Sequence, residues 1–516
     1  MSLVKSTLTV GSFTMLSRVT GFLRDVIMAN LIGASWLSDA FFVAFKLPNF
    51  FRRLFAEGAF NAAFIPSFSS ILTADGRKAA VDFAGEVMSV LFLVLLLLNA
   101  VFIVLMPWIT PVFAPGFADS AEKFDLTVTL SQITFPYILF ISLVSLLGGI
   151  LNSMGKFAAP AASPILLNLC MIAGMVWLTN TPTPAHALAI SVLVAGIVQF
   201  AWLVMACMRA GCMPGLFLPR ITPQVKTMLL LMAPAALGSG VQQLNLLVDV
   251  IIASHIPDAV SYLYYADRIT ELPIGVIGVA IGTVLLPLLS KYIKAGELDA
   301  ARQQMNRGLE LVLLFGIPAT AALLVIAEPI IRVLYYHGAF GERDMAATTM
   351  ALMAFTTGLP AYLAVKVFAP GFYANHDTKT PFKIAMVCVV VNLVLNLALI
   401  GPLKHVGMAL ATAIASWVNL ALMAGILHKR GMFVPDALLK KRLLKMGAAA
   451  KIMALALFLM DTVAAPFYVQ GTLVRTVTLL VVISAGMLVY GSMVIALKAY
   501  DANMMDRITR RFKSRA

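Results

Sequence analysis

Residues 24–49, RDVIMANLIGASWLSDAFFVAFKLPN, return as VDVIIASHIPDAVSYLYYADRITELP at 248–273. Asp25 aligns with Asp249, and Leu47-Pro48 with Leu272-Pro273. The correspondence continues in order: FIPSFSS (64–70) with LLPLLSK (285–291), MPWITPVFAPGF (106–117) with EPIIRVLYYHGA (328–339), and FPYILF (135–140) with LPAYLA (359–364). The offset wanders only between 221 and 225, which marks an internal duplication. Its apolar character then decides the fold class.

The chain has 516 residues, 61% of them hydrophobic and 12% charged, with a mean hydropathy of +0.93. Soluble domains run near half apolar and a quarter charged. The apolar runs have the length of membrane-spanning helices rather than of barrel strands, so the sequence reads as an all-α polytopic membrane protein. The start, MSLVKSTLTVGSFTMLSR, lacks a small-x-small cleavage site and runs straight into Arg18, unlike a signal peptide. Formal net charge is +14. Most of the basic residues lie in short loops and in the tail KAYDANMMDRITRRFKSRA, the pattern of cytoplasmic loops facing anionic lipid and not of a nucleic-acid surface. Cys170, Cys207, Cys212 and Cys388 form no framework and read as small buried hydrophobes or reduced thiols.

Apolar runs separated by charged or Pro/Gly loops predict about fourteen transmembrane helices, near 7–33, 36–72, 80–106, 124–152, 158–179, 184–208, 223–254, 258–293, 303–333, 344–374, 380–400, 405–428, 441–465 and 469–498. The second and eighth are too long for a simple span, and each reads as one kinked helix or two short ones. Single crossings gather the basic loops on one side: Arg77/Lys78, Lys156, Arg209/Arg220/Lys226, Lys294/Arg302/Arg307, Lys379/Lys383 and 429–442. The intervening loops are then nearly bare, with Lys123, Arg343 and Lys404 as exceptions. Both termini are expected in the cytoplasm. Six helices per repeat give two parallel lobes related by an axis along the membrane normal, 1–215 and 216–435, followed by two further helices and a basic tail in 436–516. Two such lobes across a cleft predict alternating access.

A cation at the centre of a membrane helix costs about 2.5–3.5 kcal/mol on insertion scales. The first two segments nevertheless hold Arg18, Arg24, Lys46, Arg52 and Arg53 against only Asp25, Asp39 and Glu57. Helical spacing puts Arg18 and Asp25 on one face and turns Arg24 away, unless Gly21 breaks the helix. The second repeat carries Asp249, Asp267, Arg268, Glu271 and Lys366, with Arg268 and Glu271 spaced to pair. Three unpaired arginines would cost roughly 8–10 kcal/mol, so the excess predicts a wet cationic cavity that receives an anion. The guanidinium fork suits phosphate oxygens.

The stretches TMLSRVTGFLRDVIMA, SDAFFVAFKLPNFFRRLFAEGAFNAAFIP, FAPGFAD, ITFPYILFISL, YYADRITELPIGVIGVAIGTVLLP and FAPGFYANHDTKTPFKIA closely resemble the MurJ (MviN) family of lipid II flippases, within the MATE-like multidrug/oligosaccharidyl-lipid/polysaccharide superfamily. The likeness covers essentially the whole chain. It implies two six-helix lobes, two extra helices whose groove takes the lipid tail, and export of undecaprenyl-diphosphate-linked disaccharide-pentapeptide across the bacterial inner membrane. By resemblance, Arg18, Arg24, Arg52 and Arg268 match the family's functional arginines, and Asp25, Asp39, Lys46, Asn49 and Glu271 take neighbouring cavity positions. Some relatives bind sodium between the seventh, eleventh and twelfth helices, where Asp249, Asn392, Asn396 and Thr412 fall here. Asn396 stands where a carboxylate is expected, and polar cross-links between helices are the alternative. No other cofactor is implied. The partners implied are lipid II, membrane lipids and cell-wall synthesis proteins.

Other readings predict different residues. A MATE-type cation or drug antiporter would line its first lobe with carboxylates and aromatics, whereas another lipid-linked oligosaccharide flippase would share the arginines. A polyprenyl-lipid glycosyltransferase or phosphatase would need acidic or histidine clusters, but the six histidines are scattered. A non-transporting scaffold of the cell-wall machinery leaves the arginines unexplained.

Overall fold

The computed structural model describes residues 3–53 and 60–500; Glu57 and the tail beyond Tyr500 lie outside them. Every regular element among the described residues is helical, because a backbone in hydrocarbon must satisfy its own N–H and C=O groups. Nine helical runs there are long and apolar enough to cross a membrane. The chain is a multi-pass membrane protein.

Packing divides it into two units. The first runs to Ser261 and takes in His337–Gly341; the second holds Tyr262–Tyr336 and the chain from Glu342 onward. The repeat placed the boundary at 215/216, whereas packing groups the next helix, the first of the second repeat, with the first unit.

That first unit contains α1 (Leu3–Ile32), α2 (Trp36–Phe51), α3 (Phe60–Ala74), α4 (Gly76–Phe113), α5 (Ala121–Thr134), α6 (Tyr137–Ser153), α7 (Ala158–Trp177), α8 (Pro184–Ala210) and α9 (Pro223–Ala253). The overlong second segment is α2, which passes into a π turn at 52–53, and α3 from Phe60. Pro48 and Pro66 lie inside these helices, and each removes one backbone donor. The predicted fourth segment bends at Phe135-Pro136, between α5 and α6. Phe64 of α3 stacks with Phe60 one turn before it and with Phe83 of α4, meets Phe68 at a tilt, and shares a buried core with Leu146, Leu147 and Ile150 of α6. The opposite face of α4 leaves Val94, Leu97, Val101, Val104 and Trp108 bare, as a lipid-facing helix does.

The second unit continues from α10 (Ala259–Pro273), whose first turn belongs to the first unit, through a π turn at Ile274–Gly278 into α11 (Val279–Lys294). These make up the other overlong segment. There follow α12 (Leu298–Val325), α13 (Ala327–Tyr335), α14 (Glu342–Thr356), α15 (Leu359–Tyr373), α16 (Lys379–Lys429), α17 (Ala437–Tyr468) and α18 (Thr472–Ala496). The helices expected at 380–400 and 405–428 are both present in α16, as two helices that meet at a kink on Lys404, a non-glycine residue at φ 50° and ψ −133°. The α17–α18 pair packs on α12.

The duplication is also written in polar contacts. α8 ends on left-handed Gly211, and Arg77 donates to the adjacent carbonyl of Ala210; left-handed Gly431 follows α16, and Arg302 donates to its carbonyl. An arginine at a helix C-terminus satisfies orphan carbonyls and meets the negative end of the dipole. Likewise Glu86 of α4 accepts from Thr222, the N-cap of α9 (2.8 Å), while Glu310 of α12 accepts from Arg442 of α17 (2.7 and 2.8 Å). α17 therefore stands to α12 as α9 stands to α4.

A second symmetry lies at the other ends of the helices. Gly116 packs so closely on Ser254, at the end of α9, that a Cβ would sit 2.5 Å from the Ser254 carbonyl oxygen; its N–H donates to Ser254 Oγ (3.0 Å). Its repeat counterpart Gly338 lies against Asn30, near the end of α1, where a Cβ would fall 2.3 Å from the Asn30 carbonyl oxygen, and Ala339 N–H donates to that oxygen (2.9 Å). Each repeat's glycine turn thus closes on the other repeat's first helix.

Asp377, in the turn before α16, accepts from Thr380 N–H (2.9 Å), Thr380 Oγ1 (2.6 Å) and Arg430 Nη1 (2.7 Å), fastening the two ends of α16 together. The Thr380 hydroxyl, its N–H and Arg430 hold the Asp377 carboxyl well below the ordinary 3.8. The folded state favours the charged form, so this contribution is complete above the ordinary value and is lost as pH falls through the lower folded one. Thermal melts of wild type and Asp377→Asn should differ by a constant interval from about pH 7 to about pH 5. The interval should shrink in stronger acid.

Candidate functional site

α1 runs unbroken through Gly21. Arg18 is half-buried on it and has no ion-pair partner among the described residues. Arg24 turns inward and is 4% exposed. Its Nη2 and Nε donate to Asp25 Oδ1 (2.6 and 3.0 Å) and its Nη1 donates to Asn168 Oδ1 of α7 (3.1 Å). The spacing that separated Arg24 from Asp25 gave way to the length of the arginine side chain, which reaches its sequence neighbour.

On α2, Lys46 is exposed and Asn49 is half-buried. Asn49 Oδ1 accepts from Arg52 Nε (3.0 Å), which sets the guanidinium on that face, while Arg53 is exposed. Asp39 is fully buried. It accepts from Lys123 Nζ of α5 (2.8 Å), and from the N–H (2.9 Å) and hydroxyl (2.5 Å) of Ser261. Lys123 was the exception in an otherwise bare loop, and this is what it serves.

In the second unit, Arg268 and Glu271 pair at 3.1 Å as their spacing predicted, and the guanidinium lies 5.4 Å from the ring centre of Tyr264. Asn396 Nδ2 donates to Asn392 Oδ1 (3.0 Å) and Asn392 Nδ2 to the Thr412 hydroxyl (3.2 Å). Asp249 is on α9 and belongs to the first unit. Among the described residues, no group of three His, Cys, Asp or Glu side chains gathers in metal-binding fashion. The four cysteines are free thiols.

These polar groups sit on duplicated membrane helices, and the proteins the chain matches are transporters, not enzymes. The fold is similar to that of MATE transporters: an inward-facing multidrug resistance MATE family transporter of the MOP superfamily superposes with a TM-score of 0.66 over 82% of this chain and 97% of that one, at 13% identity. The particular family is narrower. The sequence model described as "Lipid II flippase MurJ" matches residues 28–479, and the chain belongs to that family. A probable lipid II flippase MurJ of Rhizobium tropici is 42% identical over 99% of this chain and 97% of its own length. A solved structure of "Lipid II flippase MurJ, inward closed conformation" has a TM-score of 0.80 at 29% identity, over 95% of this chain and 99% of that one.

Proposed function

We propose that the protein moves lipid II from the cytoplasmic to the periplasmic leaflet of a bacterial inner membrane by alternating access, with Arg18, Arg24, Arg52 and Arg268 taking the diphosphate in turn. Family membership supports the substrate. The observation that carries the binding role is Arg18, a half-buried arginine on α1 with no ion-pair partner among the described residues. Such a cation is tolerated where it meets water or an anion. Lys46 and Asn49 of the first unit and Glu271 of the second are further candidate contacts of the substrate, while Asp25 and Asp39 hold the helices that carry the cations. The basic loops face the cytoplasm, with residues 107–123 and 334–343 on the periplasmic side. A diphosphate of about −2 moving out of a negative interior gains about 4.6 kcal/mol per 100 mV, and this is the proposed drive. Asn392 Oδ1 and the Thr412 hydroxyl each accept from a neighbouring amide, a chain that fits a polar cross-link between helices.

Lipid II binding and flipping by purified, folded Arg18→Ala, Arg24→Ala and Arg268→Ala variants test this. Each lost charge-assisted bond should weaken binding about ten- to a hundredfold. Arg24→Lys should fall between wild type and alanine because it keeps the charge but loses the fork. Arg53→Ala should stay near wild type. Wild-type flipping by all three alanine variants would overturn the arginine-receptor reading.

A further inference from the structure

Asn168 touches both arginine-bearing turns of α1. Its Nδ2 donates to the Ser17 carbonyl (3.0 Å) and the Thr20 hydroxyl (3.2 Å), and its Oδ1 accepts from Arg24. The amide reaches the helix backbone because residue 21 is glycine: a Cβ there would lie 3.3 Å from Nδ2. Asn168 is 5% exposed and Asp25 1%, so Arg24 is sealed between them, with Met171 Sδ 3.7 Å from Nη1. A guanidinium held in this way is not presented to a ligand.

We propose that Asn168 is a positioning residue that, with Asp25, competes with the substrate's diphosphate for Arg24. The inference rests on the reading of Arg24 as a phosphate ligand and concerns how that ligand lets go. A carrier that binds a dianion through several arginines must also release it. An internal acceptor that recaptures one guanidinium lowers affinity at the moment of release and returns the buried cation to hydrogen-bonded partners. Asn168 suits this better than a second carboxylate would. A neutral amide holds the arginine by one hydrogen bond, weakly enough for a diphosphate to outbid it.

The two substitutions at this position have opposite expected signs. Asn168→Ala removes the acceptor and should tighten lipid II binding by about tenfold, while slowing turnover under saturating substrate. Asn168→Asp adds a charged acceptor and should weaken binding by a similar factor. In an Arg24→Ala background both effects should vanish, because they act through Arg24. The measurement is lipid II affinity and single-turnover release with purified full-length protein, alongside a thermal melt that separates loss of packing from change in affinity. If Arg24→Ala weakens binding while both Asn168 variants leave it unchanged or both weaken it, the competition falls and the receptor reading stands. If Arg24→Ala itself binds lipid II like wild type, the reading of Arg24 falls and takes this inference with it.

Discussion

Glu310→Ala should cost the folded protein about 3–5 kcal/mol, the usual penalty for removing one partner from a buried ion pair. Glu310 is 5% exposed and Arg442 9%. Both Glu310 oxygens accept from Arg442 Nη1, one also accepts from Arg307, and Arg307 Nη2 reaches Asp436 at 2.9 Å. Asp436 in turn caps α17 through the Leu439 N–H. Deleting the carboxylate therefore strips Arg442 of its acidic partner and loosens the seat of α17 on α12. Unfolding in mixed micelles would measure the loss, and a cycle with Arg442→Leu identifies its source. The double variant Glu310→Leu/Arg442→Leu should recover most of the stability, since matched apolar replacements of a buried pair are often neutral or better. A double variant as unstable as the single one would show that the network matters for something other than charge compensation.

The second large effect is expected at Gly338. Its φ is +54°, so any side chain costs about 1–2 kcal/mol for the left-handed conformation alone. Gly76, at φ +84°, bears a similar strain but faces open space. At Gly338 a Cβ would overlap Asn30 backbone and side-chain oxygens, so alanine must also lift the turn off α1 and break the Ala339 N–H bond to Asn30. Gly338→Ala should be clearly less stable than Gly76→Ala, and limited proteolysis should cut 337–341 faster in it alone. Equal behaviour of the two variants would mean that the close approach carries no energy.

Much of this was legible beforehand. The duplication, Arg77 and Arg302 as loop arginines, the excess of cations on α1 and α2, and the Arg268–Glu271 pair all follow from spacing and hydropathy, because helical periodicity determines which face a residue occupies. It does not determine which residue of another helix sits opposite. Asp39 finds Lys123 at a separation of 84 residues and Arg24 finds Asn168 at 144. Both depend on the vertical register of packed helices, which no local pattern encodes. The grouping of α9 with the first unit was hidden for the same reason: alignment assigns α9 by ancestry, whereas Thr222, Glu86 and Gly116 assign it by contact. An asparagine within an apolar helix was the signal that could have flagged Asn168, since a polar amide at that depth needs partners.

The crossed glycine turns bear on how the polypeptide is made. Domains commonly fold in order as they leave the ribosome, but here the first unit includes His337–Gly341, which emerges long after α1. Asn30 must wait for Ala339, and Gly116 for Ser254. Translation delivers the two ancestral halves one after the other, yet neither can be finished first. A gene split between the repeats would yield two fragments that each lack a piece held by the other, and they would mature only by meeting in the membrane.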